Sequence, residues 1–280
     1  MVFESGISAS CLNWTDIRKC VAQFTACCSY DRASLGWSDP AHTPRIPSRI
    51  VEELDALLQA AKVASPYVLA GHSFGGLVVQ AYAEKYPSKV AGLVLIDPLS
   101  AREWLEPSLE QTRRLQSGVK LSRRGAILAR LGIVRLSLAL LSGGARMLPQ
   151  LIAKLSSGKG ESTISRIIGE VRKMPPETWP MIQAHWCSPK SFQGMASYLA
   201  SLPASSSECA QLREVSSVPL TILSAANSTA PELAERDALA RSSPRGKHII
   251  ATKSGHWIHL DEPELVVEAI RHMVESVRSG

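Results

Sequence analysis

The sequence of 280 residues is poor in aromatic side chains, at 5%, and has no uninterrupted apolar run long enough to cross a bilayer. Its most apolar stretch, residues 125–141, contains Arg130 and Arg135, and charged side chains are costly at the centre of a membrane. The six cysteines include no C-x-x-C pair and no cysteine–histidine grouping with the spacing of a zinc site. The sequence therefore predicts no membrane span, no bound metal and no cofactor.

The cysteines and the start of the chain bear on the cellular compartment. Cys27 and Cys28 lie in an apolar run, where buried free thiols are common. No basic segment followed by a long apolar segment precedes the first predicted strand, so the printed sequence predicts no signal peptide. These features favour a reducing compartment, and we expect a cytoplasmic protein.

The segment Gly71-His72-Ser73-Phe74-Gly75 is a G-x-S-x-G sequence between an apolar run at 67–70 and a helix-like segment at 77–86. A serine on a sharp strand-to-helix turn crowds the residues two positions away on each side, and glycine satisfies that demand. The helix that follows presents free N–H groups and a positive dipole end beside the serine. This setting predicts that Ser73 is a catalytic nucleophile.

Strand-like and helix-like segments alternate towards both ends of the chain, which is typical of a parallel sheet with crossover helices. The predicted strands are residues 1–4, 20–29, 67–70, 92–96, 218–224 and 247–251. A helix is predicted at 48–62, with Ser48 as its cap, and an amphipathic helix at 263–277 closes the chain. The prediction is an α/β fold: a mostly parallel central sheet with helices on both faces.

The middle of the chain lacks strand patterns and is rich in leucine, serine, glycine and arginine. We therefore assign residues 1–99 and 218–280 to the core and residues 100–217 to an inserted helical cap. The first predicted strand begins at Met1, so either the chain is truncated or the sheet edge is minimal, and exposed edges favour association. A homodimer is the resulting expectation.

A serine hydroxyl is a weak nucleophile at neutral pH and needs a base that a carboxylate holds in one tautomer. His256 follows the last predicted strand on a loop, and loops at the carboxyl ends of parallel strands converge on one crevice. His248 lies within a predicted strand and His259 at the approach to the last helix, which favours structural roles for both. His256 is the predicted base.

Two regions offer the carboxylate. Asp97 ends the apolar strand at 92–96, between the serine and the histidine in chain order. The loop after residue 224 has no acid of its own, and the first carboxylates beyond it, Glu232, Glu235 and Asp237, lie on a helix-like stretch where they are expected to be solvated. The sequence favours Asp97 and leaves the other region open.

An oxyanion site combines the N–H after the nucleophile with an N–H from the loop after an earlier strand. The first of these groups belongs to Phe74. The second is expected from Ile7, because Gly6 lets the backbone after the first strand turn closely.

Taken together, these segments resemble the α/β-hydrolase fold superfamily. Residues 3–6 are similar to its oxyanion segment, residues 30–39 (YDRASLGWSD) to its strand-4 loop, residues 71–76 to its nucleophile elbow, and residues 254–263 to its histidine loop and final helix. The resemblance implies a helical cap over the active site. The usual aspartate after strand 7 is replaced near Ser228, which moves the acid role towards Asp97. Serine rather than aspartate at position 73 argues against dehalogenase and epoxide hydrolase chemistry.

The predicted cap is strongly basic, with 13 lysines and arginines against two acids from residue 113 to residue 173. A helical stripe that includes Ile127 and Leu131 is expected to pack on the core or line an acyl pocket. The alternative is an interfacial helix whose arginines meet anionic lipid headgroups, which would make the protein peripheral to a membrane. Nucleic acid is not an expected partner, because no binding motif accompanies the basic residues.

These features predict a serine hydrolase that cleaves small to medium hydrophobic carboxylic esters through an acyl-enzyme. Cofactor-free perhydrolase, lactonase and aminopeptidase activities are alternatives within enzymes, and the basic cap argues against an aminopeptidase because it would repel a substrate amine. A non-catalytic ligand-binding protein of the same fold is the alternative from another class.

Overall fold

The residues that the computed structural model describes form one six-stranded parallel sheet with the strand order β2-β1-β3-β4-β5-β6. The structure describes residues 1–102, 104–142, 173–212, 218–243 and 245–279. The strands are β1 Val2–Glu4, β2 Cys28–Ser29, β3 Tyr67–His72, β4 Val90–Ile96, β5 Leu220–Ala225 and β6 Lys247–Ala251. The predicted parallel α/β fold is confirmed.

Helices connect the strands and cover the sheet. In the described ranges they are α1 Thr15–Val21, α2 Pro47–Ala60, α3 Phe74–Lys85, α4 Leu109–Arg130, α5 Ile133–Ser142, α6 Trp179–Trp186, α7 Pro189–Ala200, α8 Leu202–Cys209, α9 Ala230–Ser242, α10 Ile258–Asp261 and α11 Pro263–Arg278. None of these described helices is long and apolar enough to span a membrane.

The sheet separates two apolar cores because successive strand residues point to opposite faces. On β4, Leu95 joins a core with α2 and α3, whereas Val94 faces a second core built with α1 and α11. Burial of each such side chain stabilises the fold by about 1.5–3 kcal/mol. The carboxyl ends of β3, β4 and β6 are therefore held rigidly along one edge of the sheet.

Two local predictions near the start of the chain are wrong. The segment 20–29 is not one strand, because α1 ends at Val21 and only Cys28–Ser29 pairs with β1. Trp14, Ile17 and Val21 are buried at a helical spacing, so the period of 3.6 decides the local structure. The cap of α2 is Ile46 rather than Ser48, because Pro47 occupies the first turn, where its missing N–H costs nothing.

The described elements between β4 and β5 are all helical. The assignment of residues 100–217 to a separate cap stays a prediction, and residues 143–172 and the predicted boundary at 217 lie outside the described ranges. The stripe expected to run through Ile127 and Leu131 is broken, because α4 ends at Arg130 and Gly132 has a φ of 75°.

The apolar packing predicted for that stripe is also wrong on α4. Ile127 is 61% exposed and Leu131 68% exposed. Small residues turn towards the core instead, and a side chain at Gly125 would collide with Phe192 of α7. Close approach of α4 to α7 therefore leaves Ile127, and Leu131 just after the helix, on the outside.

Candidate active site

Ser73 lies on a strained turn between β3 and α3. Its backbone has φ 54° and ψ −120°, a combination that non-glycine residues adopt at an energetic cost. A side chain at Gly75 would come within 2.5 Å of the Glu4 carbonyl oxygen, and one at Gly71 would collide with the backbone of Gly75. The two glycines are thus required by the close approach of β1, β3 and α3.

Asp97 and His256 are brought together from opposite sides of β5. Asp97 follows β4, and its Oδ2 lies 2.6 Å from Nδ1 of His256, which follows β6. With its Nδ1 hydrogen given to the carboxylate, the neutral imidazole keeps Nε2 as its acceptor. The Asp97 side chain is 10% exposed and that of His256 33% exposed, so the acid is enclosed and the base is accessible.

His72 connects the loop that carries His256 to the turn that carries Ser73. Nε2 of His72 lies 2.8 Å from the His256 carbonyl oxygen, and the two rings are 4.7 Å apart. The hydrogen bonds of the described residues include none between Ser73 Oγ and His256. Bonds between a nucleophile and its base commonly tighten only when substrate binds. The structure thus brings the predicted base to the serine's neighbour.

The second carboxylate oxygen of Asp97 is also fully engaged. Oδ1 accepts hydrogen bonds from Ala225 N at 3.1 Å, Ser228 Oγ at 3.4 Å and Arg236 Nη1 at 2.8 Å. Burial acts to raise the pKa of Asp97, but the hydrogen bond with His256 and the charge of Arg236 outweigh it and hold the pKa below its usual value. Asp97 is therefore ionised at neutral pH, as an orienting carboxylate must be.

The loop after β1 lies beside Ser73, because a side chain at Gly6 would come within 3.4 Å of Ser73 Cβ. Arg32 donates from Nη2 to the Gly6 carbonyl at 2.5 Å and from Nη1 to the Ser5 carbonyl at 2.7 Å. The Gly6–Ile7 peptide is trans, so its N–H points away from the carbonyl that Arg32 holds. Arg32 therefore fixes the direction of the Ile7 N–H, the predicted second oxyanion donor.

Phe74, the predicted first donor, is the first residue of α3. Its ring is fully buried, with an edge-to-face contact to Tyr198 at 5.9 Å, and its backbone N–H belongs to the free first turn of the helix. The N–H of Phe74 thus directly follows Ser73 in the chain. The N–H of Ile7 belongs to the loop after β1, which lies beside Ser73.

Arg32 is itself held in place by contacts with Glu4 and Tyr198. Its Nη1 lies 2.7 Å from Glu4 Oε1, both side chains are almost completely buried, and Tyr30 donates a hydrogen bond to Glu4. The guanidinium also packs over the ring of Tyr198 at 4.9 Å. The segment 30–39 thus supports the loop after β1, which holds the predicted oxyanion donor Ile7.

The two weaker histidine candidates occupy structural positions. His259 is 2% exposed and stacks on Trp14 at 4.8 Å, and burial together with His256 lowers its pKa to about 3. His248 lies 2.5 Å from Asp237 through Nδ1 and 2.7 Å from Ser224 Oγ through Nε2. Neither ring contacts Asp97.

The alternative carboxylates have other partners. Glu232 closes a capping box with Thr229 at the start of α9, Glu235 accepts a hydrogen bond from Ser100 at 2.6 Å, and Asp237 bonds to His248. The geometry favours Asp97 as the partner of His256.

The sequence reasoning missed Arg236 and the contact roles of Arg32 and His72. The sequence did carry one signal for Arg236. With no acid near Ser228, the acid role falls to Asp97, which uses one carboxylate oxygen for the histidine and needs hydrogen-bond donors for the other. A long-range contact between α9 and the end of β4 is not encoded in local spacing.

Solved structures share this architecture. A thermophilic esterase from Thermogutta terrifontis is 22% identical, with a TM-score of 0.62 over 99% of this chain and 89% of the esterase. An enol-lactonase from Burkholderia xenovorans LB400 is 16% identical, with a TM-score of 0.63 over 98% of this chain and 90% of the lactonase. At these identities the likeness concerns the fold alone.

Sequence relatives cover less of the chain. The uncharacterized protein YqjL of Bacillus subtilis (strain 168) is 34% identical over 98 residues, which are 35% of this chain and 39% of YqjL. The sequence model described as the alpha/beta hydrolase family, in contrast, matches residues 1–269. The chain therefore belongs to the alpha/beta hydrolase family.

Proposed function

We propose that this protein is a serine hydrolase that cleaves small to medium hydrophobic carboxylic esters through an acyl-enzyme. Membership of the alpha/beta hydrolase family supports a hydrolase activity. The observation that carries the finer proposal is the 2.6 Å contact of Asp97 with His256, next to a serine on a strained turn. A buried carboxylate, an accessible imidazole and a serine on a strand-to-helix turn are the parts that acyl transfer requires.

In the first half-reaction, Ser73 Oγ attacks the ester carbonyl carbon while His256 Nε2 takes the hydroxyl proton. Asp97 holds the Nδ1–H tautomer and stabilises the imidazolium that forms. The N–H groups of Phe74 and Ile7 donate to the tetrahedral oxyanion. His256 then passes its proton to the departing alcohol, which leaves an ester on Ser73.

In the second half-reaction, His256 removes a proton from water, and the resulting nucleophile attacks the acyl carbon. The tetrahedral intermediate collapses when Ser73 Oγ leaves with the proton that His256 returns. The acid product departs and the site is restored. Side chains and backbone groups supply every step of this scheme.

Apolar side chains near the turn support a hydrophobic ester. Leu99 N donates to the Ser73 carbonyl at 3.1 Å, and Ile7, Leu99 and Trp104 are partly buried against the core that contains Phe74. Each methylene of substrate that such surfaces remove from water contributes about 0.8 kcal/mol to binding. The acyl or alkyl part of the ester is therefore expected to contact them.

The experiment is hydrolysis of p-nitrophenyl esters of increasing acyl length by the wild type, Ser73→Ala, Asp97→Asn and Glu232→Gln. Ser73→Ala is expected to abolish turnover above background, and Asp97→Asn to lower kcat by about 10,000-fold because the imidazole tautomer is lost. Glu232→Gln is the matched control, since glutamine also completes the capping box of α9. It should retain kcat within about two-fold.

A length optimum among the esters would define the size of the acyl pocket. Absence of turnover by folded wild-type protein, or turnover that survives Ser73→Ala, would contradict the proposal. Loss of activity in Glu232→Gln with retention in Asp97→Asn would transfer the acid role to α9.

A further inference from the structure

A second polar network extends from Asp97 away from the serine. Arg236 of α9, 7% exposed, donates from Nη1 to Asp97 Oδ1 and from Nη2 to the Pro98 carbonyl, each at 2.8 Å. Its Nη1 also lies 3.0 Å from Ser224 Oγ on β5. Ser224 lies 2.7 Å from His248 Nε2, and His248 Nδ1 lies 2.5 Å from Asp237.

The hydrogen bonds of this network have one consistent direction. A guanidinium only donates, so Ser224 Oγ accepts from Arg236. A carboxylate only accepts, so His248 donates from Nδ1 to Asp237, and in that neutral tautomer its Nε2 accepts the hydrogen of Ser224 Oγ. Ser224 is completely buried, which excludes it as a second nucleophile and leaves it as a link between His248 and Arg236.

We propose that Arg236 is a positioning residue for the reaction, which clamps Asp97 in the orientation that His256 needs and is itself held by Ser224, His248 and Asp237. The inference rests on the proposed ester hydrolysis. Asp97 has a φ of 41°, a conformation that its surroundings must enforce, and Arg236 bridges its carboxylate and the next carbonyl.

The clamp also has an electrostatic consequence. The charged and titratable groups around the guanidinium are Asp97 after β4, His256 after β6, His248 on β6 and Asp237 on α9. The positive charge of Arg236 lies beside the far oxygen of Asp97 and offsets part of the attraction between that carboxylate and an imidazolium at His256. Removing that charge strengthens the pull of Asp97 on the imidazolium.

The test compares the pH dependence of kcat/KM for the wild type, Arg236→Gln, Arg236→Lys and the control Arg241→Gln. Arg241 is an exposed cation on the same helix. Arg236→Gln should move the acid limb upward by about one pH unit, since the lost charge interaction acts across a partly buried site. Arg236→Lys should lower kcat by about 10- to 100-fold with the limb unmoved, because the charge remains and the fork is lost. Arg241→Gln should match the wild type.

His248→Phe tests the outer part of the network. It should lower kcat a few-fold without raising KM, and should add nothing in the Arg236→Gln background, because both changes release the same clamp. A loss of kcat in Arg236→Gln with an unmoved acid limb would show a merely structural arginine. An equal shift of the acid limb in Arg241→Gln would show that the effect comes from the net charge of the protein alone. Either result overturns the inference.

NMR titration of the His256 Cε1–H resonance in the wild type and Arg236→Gln gives the same comparison without turnover. If the wild type hydrolyses no ester, the proposed function fails, and an unchanged titration midpoint would then separately overturn the role of Arg236.

A separate surface lies on α4 and α5, where apolar and basic side chains share the exposed face. Its apolar members are Leu121, Ile127, Leu131 and Leu136, each 61–72% exposed. Its exposed basic members are Lys120, Arg123, Arg124, Arg130 and Arg135. No acidic residue occurs in the sequence between Glu110 and Glu161. We call this set the basic leucine face.

The buried residues on the opposite side of α4 explain why the apolar members of the basic leucine face point outward. Ser122, Gly125, Ala126 and Ala129 are the buried positions of α4, and they bring its backbone close to α7. A cluster of exposed leucine and isoleucine side chains is costly in water. Arginines placed between them match a membrane surface, in which anionic headgroups lie above apolar acyl chains.

We infer that the basic leucine face docks on an anionic lipid surface. The leucines enter the boundary between headgroups and acyl chains, while the arginines contact lipid phosphates and carboxylates. This docking is independent of the catalytic groups, so activity on a water-soluble ester does not depend on it.

The test is co-sedimentation with vesicles of phosphatidylcholine alone or mixed with phosphatidylserine, at low and high salt. The wild type should prefer the anionic vesicles, and high salt should weaken binding. Arg123→Gln with Arg124→Gln should weaken it about five-fold per charge. Leu121→Ser with Leu131→Ser should weaken it more than about ten-fold. The control Leu109→Ser removes a leucine that is 78% exposed at the other end of α4, and it should bind like the wild type.

All of these variants should keep the wild-type rate on a soluble p-nitrophenyl ester. Equal binding to both vesicle types, or binding that the paired leucine variant leaves intact, would overturn the inference. A dimer that forms through Leu121 and Leu131, in place of vesicle binding, would also overturn it and identify a second copy as the occupant.

Discussion

Replacing Arg32 by lysine tests whether this side chain orients the oxyanion loop. The guanidinium reaches the Ser5 and Gly6 carbonyls with two different nitrogens, at 2.7 and 2.5 Å, while Nη1 also bonds to Glu4. A lysine keeps the positive charge opposite Glu4, but it has one ammonium nitrogen in place of the planar guanidinium with its three nitrogens. One nitrogen cannot occupy the positions of both Nη1 and Nη2, so the lysine cannot reproduce both contacts and the Ile7 N–H loses its fixed direction.

Misplacing one oxyanion donor lowers kcat by about 100- to 1,000-fold, or about 2.7–4 kcal/mol of transition-state stabilisation. Arg32→Lys is therefore expected to lower kcat by at least about 100-fold, with KM changed by less than about three-fold, because the donor acts on the oxyanion rather than on bound ester. Steady-state hydrolysis of a p-nitrophenyl ester measures both constants.

Glu4→Gln is the control for stability. It breaks the buried ion pair beneath Arg32, which costs up to about 3–5 kcal/mol, but leaves an amide oxygen to accept from Arg32 and leaves the contacts to Ser5 and Gly6 in place. Urea unfolding should show a lower free energy of unfolding, while kcat stays within a few-fold of the wild type. A wild-type kcat in Arg32→Lys, or equal losses of kcat in both variants, would refute the reasoning.

Two further predictions concern His259 and Gly75. The pKa of His259 is about 3 in the folded protein, against an ordinary value of 6.5, so the unfolded chain binds its proton first and stability falls by about 1.4 kcal/mol per pH unit from pH 6.5 down to about 3. Urea unfolding of His259→Phe should show a slope lower by that amount, and an unchanged slope would contradict the assignment. Gly75→Ala should abolish ester hydrolysis and lower the unfolding free energy by at least about 1–3 kcal/mol, because the added carbon meets the Glu4 carbonyl at 2.5 Å. An active, stable Gly75→Ala would show that the turn tolerates a side chain.

The parts of the molecule that depend on local pattern were predictable from the sequence. The apolar strands before Ser73 and Asp97 and the glycines at 71 and 75 specify a strand-to-helix turn, because only small residues fit beside it. The chain order of serine, acid and histidine, together with parallel strands, places their loops at one edge of the sheet.

Other parts depend on contacts between distant segments. Residues 20–29 look extended in isolation, but Ile17 and Val21 pack as a helix on the face that α11 covers. The exposure of Leu131 follows from small residues elsewhere on α4 that let α7 approach closely. The hydrogen bond from Arg236 to Asp97 joins residues 139 positions apart, and no periodicity records it.

The central claim is that Ser73 is the nucleophile of an acyl-transfer site, and reaction with a fluorophosphonate tests it most directly. Peptide mass mapping should find one adduct, on Ser73, that is absent in Ser73→Ala and forms much more slowly in Asp97→Asn. Folded protein that gives no adduct, or an adduct on another serine that persists in Ser73→Ala, would contradict the claim.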